Sequence, residues 1–299
     1  MHDRSTRITQ ERQGSIPRAI RLFLSALLLA YAAGAIWLVS QETSLVFRAG
    51  RTLGPARPAP PYEQVDIARS DGLPQFAWEV RTPDSDGDAA WVLFLHGNAG
   101  TIASRVNIVR YEQLRSLGVN VLAAEYRGFG GLDGVPSEPA LYTDARAAYD
   151  HLRNQLHVPA QRIAIYGWSL GAAVAVDLAS KVPQAAVILE GAPASLVAIG
   201  QARYPFFPIH LLMRNPFHAI DRVNGIRAPM LFLHSPDDTI IPIAEGRRLY
   251  DAVDVAKRFV EVRGGHVNAA EADRATFLSA IGRLLTDTQL ARVREAVAR

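Results

Sequence analysis

The chain contains no cysteine in 299 residues. That absence excludes disulfides, thiolate metal sites, a cysteine nucleophile and acylation at an N-terminal cysteine. Lysine is nearly absent as well, standing only at positions 181 and 257, and the arginines that supply most of the basic charge are spread along the chain. No basic cluster is interleaved with aromatics, so the net charge of +3 does not point to a nucleic-acid partner. Internal repeats and low-complexity tracts are also lacking. What is present is core material, with 49% hydrophobic and 20% charged residues, enough for one large domain or two small ones.

Residues 22–39, "LFLSALLLAYAAGAIWLV", carry no charge. A run of about 18 apolar residues is just long enough to span a bilayer as a helix. Arg4, Arg7, Arg12, Arg18 and Arg21 precede it, Trp37 sits near its far end, and only scattered arginines follow. The positive-inside rule then keeps the N-terminus in the cytoplasm. A cleaved signal peptide, with a small-residue site at Ala33–Ala35, and a buried core helix are the competing readings. The apolar run continues through "IWLV" beyond that site, which favours an uncleaved single-pass anchor. The chain therefore divides into a cytoplasmic basic tail (1–21), an anchor (22–40), a Pro-rich linker (41–60) and a folded domain (61–299) facing the periplasm or exterior.

From about Tyr62 the pattern changes. Short apolar runs appear at "QFAWEV", "WVLFLHG", "NVLAAEY", "RIAIYG", "AAVILEG", "MLFLHS" and "RFVEVRGG", separated by helical-length segments. Strands without polar alternation, each followed by a helix, predict an α/β fold with a mainly parallel sheet covered on both faces. Functional groups in such sheets lie at the carboxyl ends of the strands. There the sequence places His96-Gly97-Asn98, "EYRGFGG", Ser169, Glu190, "HSPDD" and Gly265-His266.

Ser169 lies in "GWSLG". The G-x-S-x-G pattern alone arises by chance about once in ten chains of this length, given Gly and Ser near 7% each. Its context is more specific, because "IAIYGW" reads as a strand and "LGAAVAVDLA" as a helix, placing the serine at a sharp strand-to-helix turn. Small residues two positions before and after it allow close backbone approach. The helix start beside it offers N–H groups to an oxyanion.

A serine hydroxyl needs a base, and the base needs a carboxylate to orient it. His210, His218, His234 and His266 follow Ser169 in the chain. His266, in "VRGGHVNAAE", follows a strand and has two glycines that let its loop bend back over the site, so it is the expected base. The acid is expected after "MLFLH", where Asp237 and Asp238 are adjacent and only one can face the imidazole. Glu190 is a rival.

The blocks "LFLHGNAGTIASR", "EYRGFGGLDGVPSE", "IYGWSLGAAVAVDLA", "LEGAPASL", "LHSPDDTIIP" and "GGHVN" resemble, in order, those of alpha/beta-hydrolase-fold serine hydrolases. Within them they resemble a small-capped, membrane-anchored branch related to lysophospholipid, monoacylglycerol and protein-depalmitoylating hydrolases. The resemblance runs from about residue 44 to about residue 285. It implies Ser169 as nucleophile, Asp238, four residues before Pro242, as orienting acid, and His266 as general base. It further implies oxyanion donors at the N–H groups of Leu170 and Asn98. Two positions depart from the family pattern: Leu132 stands where a serine is usual, and "EGAPAS" where "EGPFTS" is usual. Both flank the site and bear on substrate shape rather than reaction class.

About 30 residues separate "LEGAPAS" from "MLFLHS", too few for a large lid. A short flap with Tyr204, Phe206, Phe207, Leu211, Leu212 and Met213 would line an apolar groove, with ordinary packing expected for about half of them. The reading is an anchored hydrolase of small acyl or lipid-like esters or thioesters, requiring no metal or cofactor. A peptidase or amidase on the same fold, or a non-catalytic membrane receptor or scaffold, is the alternative. Oligomeric state is not legible.

Overall fold

A computed structural model of the chain describes residues 17–48, 61–82 and 89–290. The chain divides into two compact units at Gln41 and Glu42. The first carries most of helix α1 (Arg18–Val46), which is long and apolar enough to cross a membrane. Its 29 residues extend about 43 Å at 1.5 Å per residue. The helix does not stop at Ser40. Residues 41–46, expected as the start of a linker, form its last turns, and the rest of that expected linker from residue 49, like most of the basic tail, lies outside the described residues.

The second unit is built on an eight-stranded sheet: β1 (Tyr62–Ile67), β2 (Gln75–Val80), β3 (Trp91–Leu95), β4 (Asn120–Ala124), β5 (Ile163–Trp168), β6 (Ala186–Glu190), β7 (Met230–His234) and β8 (Lys257–Glu261). The spatial order is β1-β2-β4-β3-β5-β6-β7-β8. β2 runs antiparallel to β1 and β4, and the pairs from β4 to β8 are parallel. β2 to β7 are buried along their whole length, which is why they read as unbroken apolar runs. β1 was not among the expected strands. It is a half-exposed edge strand, and its "YEQVDI" has too few apolar residues to signal one.

Helices cover both faces. Leu93 and Leu95 of β3 share one core with α3 (Glu138–Asn154), α4 (Leu170–Ala179) and α7 (Ile243–Asp251). Val92 and Phe94 share the other with α2 (Arg105–Ser116), α8 (Ala269–Ala272) and α9 (Arg274–Asp287). All ten residues of α4 are buried, and most are Ala, Val or Gly, small enough for close packing on the sheet. The chain departs from β3 toward β4 on one side and returns to β5 on the other. The crevice at that reversal is where open α/β sheets bind ligands.

The segment between β6 and β7 holds two short helices, α5 (Leu196–Arg203) and α6 (Ile209–Leu212). Of the expected groove-lining residues, Tyr204, Phe207, Leu212 and Met213 are half-buried, while Phe206 and Leu211 point to solvent at 85% and 75% exposure. Ile209, not singled out from the sequence, is the buried anchor of this flap.

Candidate active site

Ser169 stands between β5 and α4 with φ 56° and ψ −122°, a left-handed conformation that costs a non-glycine residue about 1–3 kcal/mol. The surrounding structure imposes it. A Cβ on Gly171 would lie 2.0 Å from the Leu95 carbonyl oxygen, and one on Gly167 would lie 2.3 Å from the Gly171 oxygen. The two glycines therefore let the turn press against β3 and its own helix, which forces the serine out at the sheet edge. The Ser169 N–H donates to the Glu190 carbonyl at 2.8 Å and locks the turn to β6.

Two loops meet the serine. His266, after β8, places Nε2 2.7 Å from Ser169 Oγ and Nδ1 2.6 Å from Asp238 Oδ2. Burial raises the Asp238 pKa, but the His266 hydrogen bond and charge, with the N–H groups of Ile241 and Ile240, outweigh it and hold the carboxyl below its ordinary range. An ionised carboxylate only accepts, so Nδ1 carries the proton and Nε2 is free to accept from the serine hydroxyl. Asp238 Oδ1 is filled by the Ile240 and Ile241 N–H groups, leaving Oδ2 for the imidazole. The neighbouring Asp237 is exposed. A bond from Ser235 Oγ to the Gly264 carbonyl joins the two loops.

Glu190 does not reach His266. Its carboxylate accepts from Arg110 Nε at 2.7 Å and Nη2 at 2.5 Å, and from the Tyr166 hydroxyl at 2.5 Å. Burial, reinforced by the Glu190 charge, pushes the Tyr166 phenol well above its ordinary pKa, so it remains a donor. Arg110 in turn lies 4.2 Å from the Trp168 ring centroid and donates to the Val267 carbonyl at 3.4 Å. Arg110 gave no signal in the sequence, because it is one arginine among many on a helix with no other mark of function.

The N-terminus of α4 presents Leu170 at its first position, whose N–H has no intrahelical acceptor. Facing it is the loop after β3. A Cβ on Gly97 would sit 3.0 Å from Ser169 Cβ, so this loop passes directly against the serine with Asn98 next in the chain. His96 fixes the loop from below. Its Nδ1 donates to the Gly97 carbonyl at 2.8 Å and its Nε2 contacts Glu125 Oε1 at 2.8 Å, both side chains fully buried.

The other histidines after Ser169 lie elsewhere. His210 is on the exposed flap, and His234 is buried against the Ile241 carbonyl at 2.9 Å. His218 Nδ1 meets Ser195 Oγ at 3.0 Å. That hydroxyl donates to the Pro216 carbonyl and caps α5 through the Val197 N–H, so it is a structural group rather than an activated one. Among the described residues no cluster of three or more His, Asp or Glu is arranged to hold a metal.

Comparison with known proteins sets this geometry in context. The family described as alpha/beta hydrolase fold matches residues 90–217. An uncharacterized protein of Mycobacterium tuberculosis, Rv2307c, is 36% identical over 278 residues, covering 92% of this chain and 98% of its own length. The alpha/beta hydrolase domain-containing protein WAV2 of Arabidopsis thaliana is 32% identical over 212 residues, 66% of this chain and 68% of its own. Among solved structures, the Pyrococcus furiosus esterase Pf2001 superposes with a TM-score of 0.65 over 81% of this chain and 99% of its own, at 20% identity, a likeness of fold.

Proposed function

Since the chain belongs to the alpha/beta-hydrolase family, we propose that it is a serine hydrolase that cleaves carboxylic esters or thioesters through an acyl-enzyme. The observation that carries this reading is the continuous relay from Ser169 Oγ through both nitrogens of His266 to Asp238. Ser169 Oγ attacks the acyl carbon as His266 Nε2 takes its proton, and Asp238 holds the imidazole in the required tautomer. The carbonyl oxygen becomes an oxyanion between the N–H groups of Leu170 and Asn98, each such donor being worth about 2.7–4 kcal/mol in the transition state. His266 returns its proton to the departing alcohol or thiol. A water molecule, deprotonated by the same nitrogen, then releases the acid and restores Ser169.

Apolar side chains flank the relay, with Ile240 53% and Val267 45% exposed beside Asp238 and His266. Among the described residues, the buried charged groups beneath the relay are already paired, Glu190 with Arg110 and Glu125 with His96. An acyl chain suits such a rim better than a peptide terminus. Helix α1 is read as a single-pass anchor that delivers the enzyme to lipid-like esters at a membrane.

A chain-length series of p-nitrophenyl esters and thioesters, run beside a peptide p-nitroanilide on the purified protein, tests the assignment. Ester and thioester turnover that disappears in Ser169→Ala is expected, with anilide cleavage at least about 10² slower. Faster anilide cleavage would make the protein a peptidase.

A further inference from the structure

Residues 42–48, the first of the second unit, are pinned within that unit at three points. The Glu42 carboxylate accepts from the N–H groups of Arg214 and Asn215, both at 2.7 Å, from Arg214 Nε at 2.8 Å and from Asn215 Nδ2 at 3.0 Å. Phe47 is 3% exposed, with its ring 6.0 Å from that of Phe217. The third point is Asn98. Its Nδ2 donates to the Val46 carbonyl at 2.5 Å, while Oδ1 accepts from the Arg48 N–H at 2.8 Å and from its own neighbour Ala99 at 2.9 Å. An acceptor on one end and two donors on the other leave a single orientation for the amide.

Ala99 is itself in the left-handed region at φ 62°, a conformation an alanine holds only when its surroundings impose it. The Asn98 amide supplies that constraint, and it draws on residues 46–48 to do so. A loop fixed in this way has its N–H groups aimed before substrate arrives, which is the condition for strong oxyanion stabilisation.

We propose that the Asn98 side chain is a positioning residue that ties the oxyanion loop to residues 42–48, so that this strap at the end of α1 is a working part of the active site. The proposal rests on reading the Asn98 N–H as an oxyanion donor. The backbone donor survives any side-chain substitution, so what changes is its aim. A displacement of the order of 1 Å near the reacting atoms costs up to about 10² in rate.

The test uses the full-length protein in detergent micelles with p-nitrophenyl butyrate, active sites being counted by fluorophosphonate titration and folding checked by near-UV circular dichroism. Asn98→Ala is expected to lower kcat about 10- to 100-fold with KM changed less than about threefold. Asn98→Asp, which keeps the acceptor for Arg48 and Ala99, should recover part of the loss. Glu42→Ala combined with Phe47→Ala releases the strap from the other side and should lower kcat in the same direction, with Asn98→Ala adding little on top, since groups acting as one unit are not additive. If Asn98→Ala does not fold, the strap pair carries the test alone. A kcat within twofold of wild type, a loss confined to KM, or full additivity would overturn the proposal. Failure of the hydrolase reading is distinguishable, because wild type itself would then show no Ser169-dependent turnover.

Discussion

The indole of Trp168 stacks on the imidazole of His266, ring centroids 5.9 Å apart and planes inclined by 30°, and its Nε1 donates to the His266 carbonyl at 3.3 Å. The residue preceding Ser169 in the chain thus braces His266, and Arg110 packs on the same indole. Trp168→Ala is expected to lower kcat about 10- to 100-fold, through a misplaced imidazole, whereas Trp168→Phe should stay within about fivefold. Arg110→Met would leave Glu190 buried without its counter-charge and should cost about 3–5 kcal/mol of stability by urea denaturation.

The two adjacent aspartates separate the orienting role from the turn. Asp238→Asn should reduce kcat by about 10³ to 10⁴, since the imidazole loses the partner that sets its tautomer, and Asp237→Asn should cost far less. Steady-state kinetics of both variants check this, and the opposite order would make Asp237 the acid.

Seven of the eight strands, β2 to β8, and the strand-to-helix turn at Ser169 are legible because they depend on local signals, namely apolar runs and glycine spacing, whereas those signals leave Asp237 and Asp238 open and only the family resemblance selects Asp238. What was not readable is held by contacts remote in sequence. Glu190 looked like a rival acid because its partner Arg110 lies 80 residues earlier, and nothing local reveals the pair. The strap reads as linker because the Pro-rich residues after it dominate that stretch, while the partners of Glu42 and Phe47 lie 170 or more residues away. The Asn98 amide was likewise overlooked, its partners lying about 50 residues upstream.

His234 provides a pH dependence of stability. Burial pushes its pKa below the ordinary value, and the Ile241 carbonyl and the Asp238 charge offset this only in part. The unfolded chain therefore takes up a proton near pH 6.5 that the folded protein refuses. This contribution is fully present above about pH 6.5 and is lost as pH falls from there toward the lower folded pKa. Asp238 behaves in the same sense at lower pH, stabilising above about 3.9 and losing its effect below. Urea denaturation between pH 7.5 and 5 should show a steeper fall for wild type than for His234→Gln, and parallel curves would contradict the assignment.

We propose that the five arginines within about 20 residues before the apolar run keep the N-terminus of a membrane-anchored chain in the cytoplasm. Alkaline phosphatase fused after Pro60 should be active, and green fluorescent protein fused there and exported unfolded should be dark. A fluorescent fusion with inactive phosphatase would place the hydrolase domain in the cytoplasm. Loss of everything before Ile36, read as intact mass, would reveal a cleaved signal peptide.

Fluorophosphonate labelling followed by peptide mass spectrometry decides whether Ser169 is the activated nucleophile proposed above. The relay predicts one modified residue, Ser169, with labelling abolished in Ser169→Ala and strongly slowed in His266→Ala. Ser195, whose hydroxyl proton is held by the Pro216 carbonyl, should remain unmodified. Labelling that persists in Ser169→Ala would contradict the account.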